Sequence, residues 1–257
     1  MMLNTPIKPN HLHRADSLED YKLHGIDGNI GTIKEFYFDD QHWTVRYIVA
    51  NTGNWLTGRQ VLISPHSLGA VNNGEESIEV NLTKKQIEDS PTFENGQTVS
   101  RQMEKAHHTY YGLPTYWDGS NMDRAEPHLP RDTNMMRESA LSDQMRDDQL
   151  HNTADVNGYD IQASDGEIGD VKDFIIEEET WAIRYLIVDT GSWLPGKKVL
   201  IAPQWIERVG WEDSKVFVNL TRDAIEQSPE YAKDSLISRD YEEGLYKHYN
   251  RSGYWTE

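Results

Sequence analysis

The chain contains no cysteine, which excludes a disulfide framework, a thiol nucleophile and cysteine-ligated zinc. Long apolar runs are also missing. Segments such as Val199-Leu200-Ile201-Ala202 fall far short of the roughly 20 residues that a membrane-spanning helix requires. The N-terminus, beginning Met-Met-Leu-Asn-Thr-Pro, carries no apolar stretch of signal-peptide length, so the expectation is a soluble cytoplasmic protein. Positive charge is scarce: 25 Lys and Arg face 43 Asp and Glu, for a formal net charge of −18. The acidity is spread along the whole chain and leaves no basic footprint for a phosphate backbone, so nucleic acid is not an expected partner. Acidity of this kind reads first as solubility.

What is abundant is aromatic. Eight Trp and thirteen Tyr are present, enough ring area for two small cores. Their placement reveals a duplication. Shifted by 138 positions, residues 12–117 fall on 150–255 without a gap, and 36 of the 106 pairs are identical. The matches include Trp43/Trp181, Trp55/Trp193, Trp117/Trp255, Tyr47/Tyr185 and Tyr116/Tyr254. One period in two copies is a tandem pair rather than a solenoid.

Within each copy the pattern is β. Asp27-Gly28 and Asp165-Gly166 are turn dipeptides. Strands are predicted over 30–38 and 168–176, 43–49 and 181–187, 61–64 and 199–202, and 78–82 and 216–220, with bulky residues at period two. Pro65 and Pro203 stop the third of these. Thr83 and Thr221 are placed to cap short helices that end near Pro91 and Pro229. Short strands at this spacing predict a mainly β fold of two small SH3-like antiparallel barrels, each followed by short helices. The repeat continues past the barrels: 101–111 and 239–249 read as aromatic, helical tails that pack on a barrel, either their own or the other copy's. The organisation is then module 1 at 12–117, a polar acidic linker at 118–149 with a short helix around Met135–Met145, and module 2 at 150–255.

The Asp-Gly-x-Ile-Gly turn, the aromatic strand and the Gly-x-Trp-Leu-x-Gly-[Arg/Lys]-x-Val-Leu-Ile-x-Pro block resemble the PRC-barrel domain, over about 12–91 and 150–229. That domain is named for the photosynthetic reaction-centre H subunit and occurs also in a ribosome maturation factor. The tandem arrangement is similar to soluble bacterial proteins with two such barrels. The resemblance implies docking onto a partner: a protein-binding or assembly module without catalysis, meeting a protein or a membrane complex. It also implies an alternative, a peripheral cytoplasmic subunit of a photosynthetic or other electron-transfer complex. A third reading, from a different class, is a small-ligand or enzyme site in a cleft between the barrels.

The residues that best suit partner binding are Trp55, Leu56 and Arg59, with their twins Trp193, Leu194 and Lys197, because Trp and Arg dominate interface hot spots and a loop presents them. The competing reading folds each Trp back to cap a barrel mouth. Packing of the two barrels on each other is expected, and peripheral membrane association stays open. No catalytic residue, cofactor or metal site is expected. Asp27 and Asp165 read as turn formers, and the Asp165–Asp170 segment lacks the alternating oxygen ligands of a calcium loop. His11-x-His13 and His107-His108 have no ligand-set spacing around them. Nor is there a Gly-x-Ser-x-Gly elbow, a dinucleotide fingerprint or a P-loop.

Overall fold

The computed structural model describes residues 11–94, 98–117, 150–191, 196–232 and 236–256; the expected helix around Met135–Met145 lies outside them. The chain divides into two compact units. The first-copy unit is Ala15–Val156 with Thr180–Ala182; the second-copy unit is Met1–Arg14, Asn157–Glu179 and Ile183–Glu257. In chain order the strands are β1 (Leu12–Arg14), β2 (Lys22–Gly25), β3 (Gly28–Asp39), β4 (Thr44–Asn51), β5 (Gln60–Ile63), β6 (Leu68–Asn72), β7 (Ser77–Val80), β8 (His151–Asn152), β9 (Asp160–Ala163), β10 (Gly166–Glu177), β11 (Ile183–Asp189), β12 (Lys198–Ile201), β13 (Ile206–Gly210) and β14 (Lys215–Val218).

The first-copy unit carries a mainly β sheet in the order β5-β4-β3-β2-β7-β6, with β8 added on β3; the second-copy unit repeats it as β12-β11-β10-β9-β14-β13, with β1 added on β10. The short strand at the head of each copy is therefore a rung in the other copy's sheet. Leu12 pairs with Glu177 and Arg14 with Ile175, while His151 pairs with Phe38 and Asn152 with Tyr37. Repeat boundaries and compact units do not coincide at these strands.

Two features depart from an all-antiparallel barrel. The β2–β7 and β9–β14 pairs are parallel, because each copy's last strand re-enters beside its first in the same direction. Among the described residues the ladder also does not close: β5 and β6 end the path and are joined by the Pro65–Ser67 3-10 turn. Strands β2, β6, β9 and β13 were not legible in the sequence. Gly31 and Gly169 show why Ile-Gly recurs in both copies. A Cβ at either would lie 1.9 Å from the carbonyl oxygen of Asn51 or Asp189, so only glycine lets the neighbouring strand approach.

Ile30, Ile33 and Phe36 of β3 are kept on one face at three-residue spacing by register shifts. They meet Ile48 and Ala50 of β4, a strand buried throughout 44–50, and Ile78 and Val80 from β7 complete the first core. A satellite core of Tyr37, Tyr47, Val49, Leu62, Phe93, Val99 and Leu150 forms where the tail lies on the sheet, with Met103 packed against it. The predicted short helices are present at Lys84–Glu88 and Arg222–Glu226, capped by the side chains of Thr83 and Thr221. Asp27 and Asp165 turn out to do more than form turns. Their carboxylates accept from the backbone N–H of Lys84 and Arg222 (2.8 Å each), tying the β2–β3 and β9–β10 hairpins to these helix starts.

Candidate functional site

Each tail packs on its own barrel. Ser100 and Ser238 cap the tail helices Arg101–Tyr111 and Arg239–His248 by accepting from the N–H of Met103 and Tyr241. At three-residue spacing Arg101 reaches Glu104 (2.8 Å) and Arg239 reaches Glu242 (3.0 Å), and both glutamates have 0% exposure. The chain then turns back so that its Tyr-Trp ending is clamped by arginines. The Arg46 guanidinium lies 3.8 Å from the Tyr116 ring centre and Arg101 lies 4.5 Å from Trp117. In the second-copy unit Arg184 lies 4.1 Å from Tyr254 and Arg239 lies 4.2 Å from Trp255. From the barrel side, Arg46 pairs with Asp39 and Arg184 with Glu177, each at 2.6 Å.

The electrostatics follow from enclosure. Burial pushes the Glu104 carboxyl up to about 7, although the Tyr116 hydroxyl that donates to it, Arg101 and Arg46 all pull the other way. Glu242 is raised for the same first reason, with Tyr185 and Tyr254 donating to it at 2.8 and 2.9 Å. Burial would raise Asp39 too, but the hydrogen bond from His42 and the Arg46 charge outweigh it and hold the group down at about 2. Both glutamates are sealed under their tails and engaged there, which makes the arrangement a clasp between tail and barrel.

The loop singled out for partner binding is a 3-10 turn, Gly53–Leu56. The Trp55 indole N–H donates to the Ile30 carbonyl, and the Lys84 ammonium lies 5.3 Å from its ring centre. Trp55 and Leu56 are each half-buried. Thr57 and Gly58 follow with φ of 53° and 74°, and a Cβ at Gly58 would meet nothing within 4 Å. Arg59 turns inward and donates to the carbonyls of Glu88 (2.9 Å), Ser90 (2.8 Å) and Pro91 (3.2 Å). Its twin Lys197 donates to the Glu226 carbonyl. Each cation therefore ties the chain just before the third predicted strand to the end of the short helix beyond. Trp193 and Leu194 lie outside the described residues.

Sequence reasoning missed two groupings. Pairing of β1 with β10 sets His11 and His13, two apart on one strand face, beside Glu178. His11 Nδ1 lies 2.8 Å and His13 Nε2 3.2 Å from Glu178 Oε2. Their three ligand atoms fall within 4.8 Å of one another, so among the described residues this group could hold a metal ion. The ligand set that the spacing of the histidines lacked is supplied from 165 residues away. The other grouping is a cleft of about 430 Å³ in the first-copy unit. It opens between the Pro65–Ser67 turn, Gln86 of the short helix, and Tyr110 and Tyr111 at the end of the tail helix.

The PRC-barrel domain family matches the chain twice, over residues 11–87 and 149–225, together more than half of its length. The chain belongs to the PRC-barrel domain family. Both matches stop short of the tails, so the clasp and the cleft involve chain that follows the PRC barrels themselves. An uncharacterized protein of Deinococcus radiodurans is 35% identical over 97 residues, which is 37% of this chain and 34% of that protein. The match thus spans about a third of the relative's length. Among the described residues no helix is long and apolar enough to cross a membrane.

Proposed function

We propose that this tandem PRC-barrel chain is a non-enzymatic docking module that binds a protein partner, free or part of a membrane complex, through the Trp55–Leu56 loop of the first copy and its twin at Trp193–Leu194. The observation that carries the reading is the pre-organisation of Trp55. Its N–H is spent on the Ile30 carbonyl, Lys84 lies over its ring, and Arg59 fastens the base of the loop, yet the ring stays half-exposed. A rigid, partly exposed indole gives large contact area with little conformational entropy to lose on association. A non-catalytic role is further supported by the clasp: the perturbed carboxylates Glu104 and Asp39 are enclosed and engaged with tyrosine, arginine and histidine side chains.

The test is quantitative affinity capture from the native cell with the full chain, comparing wild type with Trp55→Ala and the Trp55→Ala/Trp193→Ala pair. A specific partner should be recovered about tenfold less with the single variant, in protein that still unfolds cooperatively on heating, and less still with the pair. Equal recovery by all three proteins would sink the loop as the docking surface.

A further inference from the structure

The two copies differ most in size at one matched position. Where the first copy has Ser67, the second has Trp205, each closing the 3-10 turn after the third strand of its repeat's core. Trp205 is 1% exposed and packs its ring 4.6 Å from Tyr249 and 5.2 Å from Tyr246 on the tail helix. Its backbone makes the same bond in both copies: Asn219 N–H donates to the Trp205 carbonyl, and Asn81 N–H to that of Ser67 (2.8 Å each). The turn is held alike, and only the side chain differs. Tyr249, covered by the indole, is buried; its counterpart Tyr111, facing a serine, is half-exposed.

The cleft of the first-copy unit is lined by both Ser67 and Tyr111, the counterparts of the two residues that stack in the second. Tyr110 stands edge-on to Tyr111 at 4.7 Å and donates its hydroxyl to the Gln86 carbonyl, which fixes a two-ring wall. The rim carries the exposed amides of Asn81 and Gln86. No Asp, Glu, Lys or Arg lines the cleft. The His66 imidazole, the amides and the tyrosine hydroxyls supply its polar groups and Leu82 an apolar one, so a neutral ring with a polar edge fits best. The volume is within the range of small-ligand sites.

We propose that this cleft binds an indole ring, presented as a tryptophan side chain by a polypeptide partner, in the place that Trp205 takes from within its own chain in the second copy. A polypeptide source is favoured because the second copy fills the equivalent place with the side chain of a tryptophan within a polypeptide, stacked on the counterpart of Tyr111. The site is separate from the Trp55 loop, and Trp55→Ala should leave it intact.

The experiment is a nuclear magnetic resonance titration of the full chain, following the amides of Ser67, Gln86 and Tyr111. The probes are N-acetyl-Gly-Trp-Gly-amide, the same peptide with Leu for Trp, and free indole. The Trp peptide should bind saturably at one site, with the Leu peptide at least about tenfold weaker. Ser67→Trp should plug the cleft and weaken the Trp peptide at least about tenfold, whereas Trp205→Ser should raise the stoichiometry from one to two. Tyr110→Ala, a change at an exposed ring, should weaken binding several-fold and serves if either of the other variants does not fold. No saturable binding, equal binding of the Leu peptide, or a Ser67→Trp protein that folds and binds as wild type would overturn the proposal. Saturable binding of free indole without the Trp peptide would overturn the polypeptide source.

Discussion

The two units share one chain trace and close the junction between barrel and tail with different chemistry. In the second-copy unit the junction is filled by rings: Trp205 packs on Tyr246, Leu245 is buried beside it in the helix, and the Tyr185 hydroxyl donates to Glu242. The corresponding first-copy residues are His107, His108 and Ser67, and the buried Tyr47 hydroxyl, twin of Tyr185, has no partner among the described residues. His107 instead donates from Nε2 to the Leu62 carbonyl (2.9 Å), and its Nδ1 has no partner among the described residues. A duplicated frame lets one copy keep the packed solution while the other carries polar groups and a cleft. The cost is not confined to the first copy, because the buried Trp205 indole N–H of the second also has no partner among the described residues, and buried polar atoms without partners destabilise.

The largest expected contrast is in pH dependence. The folded pKa of Glu104, about 7, is above its ordinary 4.5, so the folded first-copy unit binds the proton more tightly and loses stability as pH rises from about 4.5 to about 7. His107 is pushed by burial down to about 4 from 6.5, so that unit loses stability as pH falls from about 6.5 towards 4. Each effect is worth about 3 kcal/mol at full extent, and over their shared window the slopes oppose. Glu242 is raised as Glu104 is, but Leu245 stands where His107 does, so nothing at that position opposes it. Amide exchange of β4 and β11, corrected for intrinsic rates, should show the second-copy unit weakening as pH rises above about 4.5, while the first-copy unit, where burial lowers His108 as well as His107, does not weaken in step. His107→Leu should give the first-copy unit a falling slope of about 3 kcal/mol across that window. A level profile in that variant would break the assignment.

A smaller contrast lies in the loop clamps. Arg59 spreads a guanidinium fork over three carbonyls, whereas Lys197 reaches one. Arg59→Ala should therefore lower the stability of the first-copy unit by about 2 kcal/mol, and Lys197→Ala should lower that of the second-copy unit by about 1 kcal/mol or less. Chemical denaturation monitored through the exchange of β5 and β12 separates the two. Equal losses would mean that the clamps are equivalent despite their chemistry.

Much of this frame was legible because a duplication tests itself. Matched Trp, Tyr and Gly at a fixed offset could be read as strands, turns and tails without any structure, and the family matches agree with the barrels so read. The short edge of each sheet was not legible. Leu68–Asn72 carries Gly, Ala and Asn rather than alternating β-branched residues, and β8 has only two residues. Long-range register was hidden too: Asp27 meets a helix start 57 residues on, and Glu178 meets His11 across 167. The Ser67/Trp205 difference was visible in the sequence as a mismatch, but its place in the fold, between the turn and the tail helix, was not.

The smallest effect separates the two added strands. Strand β1 is held to its sheet by side chains as well as by the ladder: His11 and His13 share Glu178, and Arg14 pairs with Asp173 at 3.0 Å. Strand β8 has a looser equivalent, His151 to Asp40 at 3.8 Å. Removing one partner of a partly exposed pair costs about 1 kcal/mol or less, so Glu178→Gln should leave global unfolding unchanged and speed amide exchange at Leu12–Arg14 a few-fold. Asp40→Asn should leave His151–Asn152 as protected as before. If Glu178→Gln does not alter exchange in β1, the backbone ladder alone holds that strand. Two histidines converging on one carboxylate oxygen then have no structural task to account for them, and a metal titration of the wild-type chain becomes the next measurement to make.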